Sequence, residues 1–102
     1  MIKIKEAPDQ GRMLPSDKAL IEGIAKKDLS AYRQLVCKYY DFVYLITFAF
    51  FNSNEKANEY IVSIMLYVWD AGSSIERNCD LKEYLLDLIR MNYRRDIVKL
   101  QA

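Results

Sequence analysis

The sequence contains no histidine, the side chain that most often serves proteins as a general base or a metal ligand. Glycine and proline are scarce, with three and two copies among 102 residues, so few positions interrupt regular secondary structure. The chain also lacks a glycine-rich phosphate-binding loop and a helical pair of carboxylates suited to acid–base catalysis. We therefore expect no catalytic site, no metal site and no cofactor.

The two cysteines, Cys37 and Cys79, do not have the spacing of a metal-binding motif, and the N-terminus carries no signal-peptide core. We expect two free thiols in a reducing cytoplasm. The longest apolar run, residues 42–51, is interrupted only by Thr47. A bilayer requires about 20 apolar residues, so this run predicts a core helix and no membrane insertion. The net charge of +1 indicates no general attraction to nucleic acid or membranes.

Apolar residues recur three or four positions apart through most of the chain, which predicts an all-α fold. The central helix is expected at 29–51, with its apolar end surrounded by other helices. Shorter helices are expected near 16–27, 55–70 and 80–100, and Ser16, Asp28 and Asp80 are candidate N-caps. We expect one compact four-helix domain at 16–102, preceded by a flexible leader at 1–15 that holds both prolines.

Helix phase separates buried from exposed positions. Ile46 and Ile64 are expected in the core, and Trp69 is expected to be substantially buried. Gly23 is expected to weaken the first helix slightly, because glycine has a low helix propensity. Two of the eight tyrosines, Tyr67 and Tyr93, are candidates for exposed rings that stack on nucleic-acid bases.

Cations are concentrated in the predicted fourth helix. Four of them lie in the last thirteen residues, interleaved with an amide and an aromatic side chain: Arg90, Asn92, Tyr93, Arg94, Arg95 and Lys99. This pattern is typical of a surface that contacts phosphates and base edges. It is also typical of a helix end whose charges complement the helix dipole and keep the protein soluble. The sequence leaves both interpretations open.

Three motifs follow one another along the predicted helices. Residues 27–32 read Lys-Asp-Leu-Ser-Ala-Tyr, residues 39–44 contain a Tyr-Tyr pair followed by Val43 and Tyr44, and residues 56–69 run from Lys-Ala-Asn-Glu to a tryptophan. In order and spacing these motifs resemble region 2 of bacterial RNA polymerase sigma factors, especially the extracytoplasmic-function group. In that family the first motif is Gly-Asp-x-x-Ala-Phe and the third is Asp-Ala-Glu-Asp-x-x-Gln-Glu-x-Phe-x-x-x-Trp.

The resemblance implies a promoter-recognition domain with two partners, RNA polymerase core and promoter DNA, and an anti-sigma factor as a regulator. In the family, the third helix binds the coiled-coil clamp of the largest polymerase subunit; the corresponding residues here are Asn58, Glu59, Val62, Ser63 and Leu66. The loop that follows captures a flipped base of the single-stranded −10 element, and the fourth helix contacts the strand. The corresponding residues are Ser73, Ser74, Arg77 and Asn78 in the loop, and Arg90, Asn92, Arg94 and Arg95 in the helix.

The third motif departs from the family at the positions that bind polymerase. Lys56, Asn58, Val62 and Ser63 stand where the family has Asp, Glu, Gln and Glu, and Glu59 is the main carboxylate left. Each lost charge-assisted hydrogen bond weakens docking by about 1.5–3 kcal/mol. The alternative hypothesis is therefore a degenerate sigma-like helical module that acts in protein–protein interaction or regulation. The basic fourth helix favours the first hypothesis and the substitutions favour the second.

Overall fold

The computed structural model of the chain describes residues 16–101, and all regular secondary structure in that range is helical. The four helices are α1 (Asp17–Ala25), α2 (Leu29–Phe51), α3 (Asn54–Ala71) and α4 (Leu81–Gln101). A short 3-10 helix, Gly72–Ser74, begins the connection between α3 and α4. The predicted all-α fold with four helices is confirmed. The leader predicted at 1–15 lies outside the described residues.

Each helix begins at a short polar side chain that accepts a hydrogen bond from a backbone N–H of the first turn. Ser16, Asp28, Ser53 and Asp80 act in this way for α1 to α4. Such bonds satisfy donors that have no partner within the helix. The three predicted caps are confirmed, and Ser53 is the cap of α3 that the sequence analysis did not name.

The core forms where α1, α3 and α4 all pack against α2. Every helix contributes fully buried side chains, which include Leu20, Ile21, Ile24, Leu35, Val43, Ile64, Val68, Leu81, Leu85 and Ile89. Buried polar contacts tie the helices together at two points. The Tyr60 hydroxyl donates to Asp96 at 2.6 Å and joins α3 to α4. Burial, followed by this bond, raises the pKa of the Tyr60 phenol.

The second polar contact joins the first turn of α1 to the middle of α2. The Asp17 carboxylate accepts hydrogen bonds from the Lys38 ammonium and the Tyr39 hydroxyl, both at 2.7 Å. Burial alone would raise the pKa of the Asp17 carboxyl, but these two bonds outweigh it, and the pKa lies below its ordinary value. The ionised carboxylate therefore helps to hold α1 on α2.

Two expectations about the end of α2 are wrong. Other helices do not surround residues 42–51, because Leu45 is 65% exposed and Phe50 lies at the surface. Ile46 is only partly buried, whereas the neighbouring Thr47 is fully buried. A helix that packs along one side leaves its other side in solvent, so an unbroken apolar run does not establish burial on all sides.

The end of α1 lies close to α2, and the turn that follows it lies close to α3. A Cβ atom on Gly23 would collide with the Cβ of Ala31, so packing requires glycine here. Lys27 adopts a left-handed backbone conformation with φ of 60°. Its ammonium donates to the Trp69 carbonyl near the end of α3 and lies 4.7 Å from the centre of the Trp69 ring. Trp69 is substantially buried, as expected, and packs against the hydrophobic core.

Candidate protein-binding and nucleic-acid-binding surfaces

An apolar groove of about 480 Å³ separates α2 from α3. Its walls are Tyr32, Arg33, Val36 and Cys37 of α2, and Ile61, Val62, Met65 and Leu66 of α3. Met65 is buried, whereas Val62 and Leu66 are 60% and 54% exposed. Side chains of this size exposed beside an apolar groove are typical of an interaction surface. We call this feature the α2/α3 groove.

Charge is placed at the margins of the α2/α3 groove. Within the part of the chain that the structure describes, Arg33 is the only charged residue that lines it. On α3, Glu55, Glu59, Val62 and Leu66 follow one another at spacings of four, three and four residues, so they form one exposed ridge. Half of this ridge is therefore acidic and half is apolar. Glu59 also forms a surface ion pair with Lys56 at 3.5 Å.

A second groove, of about 220 Å³, lies between α3 and α4. It is lined by Ser63, Tyr67, Leu88, Met91, Asn92 and Arg95, and we call it the α3/α4 groove. The side-chain N–H of Asn92 donates to the Leu88 carbonyl at 2.8 Å, and its carbonyl oxygen accepts from the Arg95 guanidinium. Tyr67 and Met91 are 54% and 61% exposed. This groove is more polar than the α2/α3 groove.

The residues predicted to bind polymerase are all exposed, as expected for a partner surface: Asn58, Glu59, Val62, Ser63 and Leu66. These residues nevertheless do not form a single surface. Val62 and Leu66 line the α2/α3 groove, whereas Ser63 lines the α3/α4 groove. Adjacent residues of a helix point about 100° apart, which is why Val62 and Ser63 separate. Asn58 and Glu59 line neither groove.

The four α4 residues predicted to contact DNA are also divided. Asn92 and Arg95 lie together in the α3/α4 groove, joined by their hydrogen bond. Arg90 and Arg94 are exposed and share another face of α4, since they are four residues apart. Arg90 forms a surface ion pair with Asp87 at 3.5 Å. Surface pairs of this kind are weak, so they do not prevent contact with a phosphate.

The loop predicted to capture a base offers no aromatic ring for stacking. Residues 71–80 include no aromatic side chain, and none of them lines either groove. Ser73, Ser74 and Asn78 are exposed, and Arg77 forms an ion pair with Glu22 of α1 at 3.5 Å. Ile75 is buried and anchors the loop to the core. The loop can supply hydrogen bonds and charge to a ligand, but no ring.

Sequence reasoning missed several residues that shape the two grooves. Tyr32, Arg33 and Val36 of α2 were not predicted as site residues, and Cys37 was noted only as a free thiol. Met91 of α4 was not predicted as a site residue either. The expected exposure of Tyr67 is confirmed, but Tyr93 is partly buried, with its ring centre 4.8 Å from that of Phe50.

Comparison with known proteins provides no counterpart for the two grooves. No protein-family model, curated protein or solved structure matches the chain. The resemblance to sigma factors therefore rests on the sequence motifs alone. Within residues 16–101, no helix is both long and apolar enough to cross a membrane. That same range contains no cluster of three or more histidine, cysteine or acidic side chains placed to hold a metal ion.

Proposed function

We propose that the chain is a promoter-recognition domain of the sigma-factor region 2 type, located in the cytoplasm and without catalytic activity. In this proposal the α2/α3 groove binds the helical clamp of RNA polymerase, and α4 contacts the single-stranded −10 element. The observation that carries it is the exposure of Val62 and Leu66 beside an apolar groove, at positions where the resemblance implies polymerase binding. The α2/α3 groove lies between two helices, and a groove of this kind can bind the apolar face of a third helix.

The substitutions on α3 fit a clamp contact that has become more apolar. Complete burial of one valine or leucine side chain contributes about 1.5–3 kcal/mol, similar to a hydrogen bond with a charged partner. Val62 and Leu66 are 60% and 54% exposed, so burial of their exposed parts against the clamp offsets part of the loss from the missing Gln and Glu. The acidic part of the α3 ridge, with Glu55 and Glu59, favours a clamp helix that has basic residues along one border.

A binding titration with purified bacterial core polymerase tests this contact. Leu66→Asp introduces a charge beside the groove and should lower the affinity at least about tenfold, since burying an unpaired charge is strongly unfavourable. Leu45→Asp is the matched control, because Leu45 is 65% exposed on α2 and lines neither groove. Equal affinities for both variants, or an equal loss for both, would show that the α2/α3 groove is not the contact.

The DNA contact is tested by fluorescence anisotropy with a single-stranded −10-like oligonucleotide. With about three phosphate contacts, log affinity should fall with log salt concentration at a slope near −2. Arg90→Ala together with Arg94→Ala should flatten this slope, whereas Lys18→Ala on α1 together with Lys26→Ala just after α1 should not. Absence of salt-dependent binding at about 100 μM protein, the weak limit of ordinary non-specific affinity, would exclude DNA as a partner of this chain.

The second candidate is a sigma-like module that binds a protein other than polymerase. The apolar character of the α2/α3 groove favours it, because an amphipathic helix of a regulator, including an anti-sigma factor, fits the groove equally well. The polymerase titration separates the two candidates. The second candidate is supported if the chain binds no core polymerase but binds a helical partner, and if Leu66→Asp weakens that binding.

A further inference from the structure

The α3/α4 groove combines an exposed aromatic ring, a thioether, an amide and a guanidinium group. We propose that it holds a single unstacked base of a single-stranded nucleic acid, with Tyr67 stacked on the base and Arg95 bound to an adjoining phosphate. This inference rests on the strand binding in the proposed function. It assigns base recognition to the groove between α3 and α4, not to the loop at residues 73–78.

The size of the groove limits its ligand to one planar group. Its volume of about 220 Å³ is too small for a whole cofactor, since sites for drug-sized ligands span roughly 300–1,000 Å³. Tyr67 on α3 and Met91 on α4 are both more than half exposed and both line it. An aromatic ring and a polarizable thioether are suitable neighbours for the two faces of a base. Stacking of this kind accepts any base, because every base has a π-face.

Arg95 is held beside this ring by the structure of α4. Asn92 is fixed by its bond to the Leu88 carbonyl, and its own carbonyl accepts one N–H of Arg95. A guanidinium group has five N–H donors, and this bond uses one of them. The next residue, Asp96, is bonded to Tyr60 of α3 at 2.6 Å, which fixes the distance between the two helices at this point. The guanidinium is therefore oriented before a ligand arrives.

The charge of the surroundings indicates an anionic ligand with planar rings. Among residues 16–101, no carboxylate lines the α3/α4 groove, and Arg95 is the one charged residue that does. Arg90 and Arg94 lie on the next face of α4, where they extend the positive surface along the helix. A phosphate backbone that follows these cations could place one base against Tyr67. Single-stranded nucleic acid has this chemistry, whereas in a duplex the face of the base is not available.

The test uses the full chain and a single-stranded oligonucleotide that carries the fluorescent base 2-aminopurine, whose emission is quenched by stacking. Abasic sites on both sides of the 2-aminopurine keep it unstacked in the free strand, so quenching is expected on binding. Tyr67→Ala should lower the affinity about 5- to 150-fold and remove the quenching, and Tyr67→Phe should restore both. Tyr40→Ala is the matched control, because Tyr40 is an exposed ring on α2 that lines neither groove. Arg94→Ala should lower the affinity and leave the quenching intact.

Failure of the groove assignment and failure of the strand binding give different results. Salt-dependent binding in which Tyr67→Ala changes neither the affinity nor the quenching would overturn the groove and leave the strand contact in place. No salt-dependent binding at all would overturn both. Ser63→Phe provides a second variant in case Tyr67→Ala unfolds: Ser63 is exposed and lines the groove, so a phenyl ring there should fill it and reduce the affinity.

Discussion

Gly23→Ala is the substitution for which helix propensity and packing predict opposite results. In an isolated helix, alanine in place of glycine should stabilise by about 0.5–1 kcal/mol. Here the new methyl group collides with the Cβ of Ala31, which is 7% exposed in the central helix α2. Ala31 cannot recede without moving α2, and the bonds from α2 to Asp17 hold α1 in place. Overpacking of this kind costs about 1–3 kcal/mol.

We expect the cost of the collision to exceed the gain in helix propensity, so that Gly23→Ala lowers the free energy of unfolding by up to about 2 kcal/mol. Ala31→Gly removes the opposing methyl group, so it should reverse the effect of Gly23→Ala on the free energy of unfolding. In that background Gly23→Ala should stabilise by up to about 1 kcal/mol. The wild type, the two single variants and the double variant form a cycle. Their urea denaturation, monitored by circular dichroism, gives the coupling free energy between positions 23 and 31. Stabilisation by Gly23→Ala in the wild-type chain would refute the close approach of α1 and α2.

Three further predictions concern stability. The Thr47 hydroxyl is buried and has no hydrogen-bond partner, so Thr47→Val should raise the free energy of unfolding in urea by about 1 kcal/mol; a lower value would mean that the hydroxyl is satisfied. Ile64→Ala should cost about 2–5 kcal/mol, and Ile46→Ala should cost clearly less because Ile46 is only partly buried; equal costs would contradict this. Because the folded state lowers the pKa of the Asp17 carboxyl, its contribution is present above the ordinary value of 3.8 and is lost as the pH falls below it. Melting temperatures between pH 2 and 6 should therefore fall less steeply for Asp17→Asn, and parallel profiles would contradict the assignment.

The helices could be predicted because their signals are local. Ser16, Asp28 and Asp80 begin helices through bonds to amides two or three residues away, and the sequence displays that pattern directly. Helical phase also placed Ile64 on the buried side of α3, although Val62, Leu66 and Tyr67 of the same helix are apolar and exposed. Burial at the end of α2 was not predictable, because the run at 42–51 is apolar on every side. Only the packed structure shows that Thr47 is buried and Leu45 is exposed.

The grooves could not be predicted because they depend on distances between helices. Val62 and Ser63 are neighbours in sequence, yet each belongs to a different groove once α2 and α4 have packed on different sides of α3. The need for glycine at position 23 likewise depends on how closely α1 crosses α2. Lys27 shows the same limit, since its contact with Trp69 spans 42 residues of sequence.

The central claim is that RNA polymerase binds at the α2/α3 groove, and alkylation of Cys37 tests it most directly. Cys37 is exposed and lines this groove, so a bound clamp helix would cover its thiol. Cys79 provides an internal reference in the same sample: it lines neither groove, and burial raises the pKa of its thiol. Mass spectrometry would follow the alkylation of each cysteine with and without core polymerase.

We predict that saturating core polymerase slows the alkylation of Cys37 at least about tenfold, because the thiol becomes inaccessible in the complex, and leaves the rate at Cys79 unchanged. Leu66→Asp should abolish the protection. An unchanged rate at Cys37 in the presence of saturating core polymerase would contradict the proposed contact.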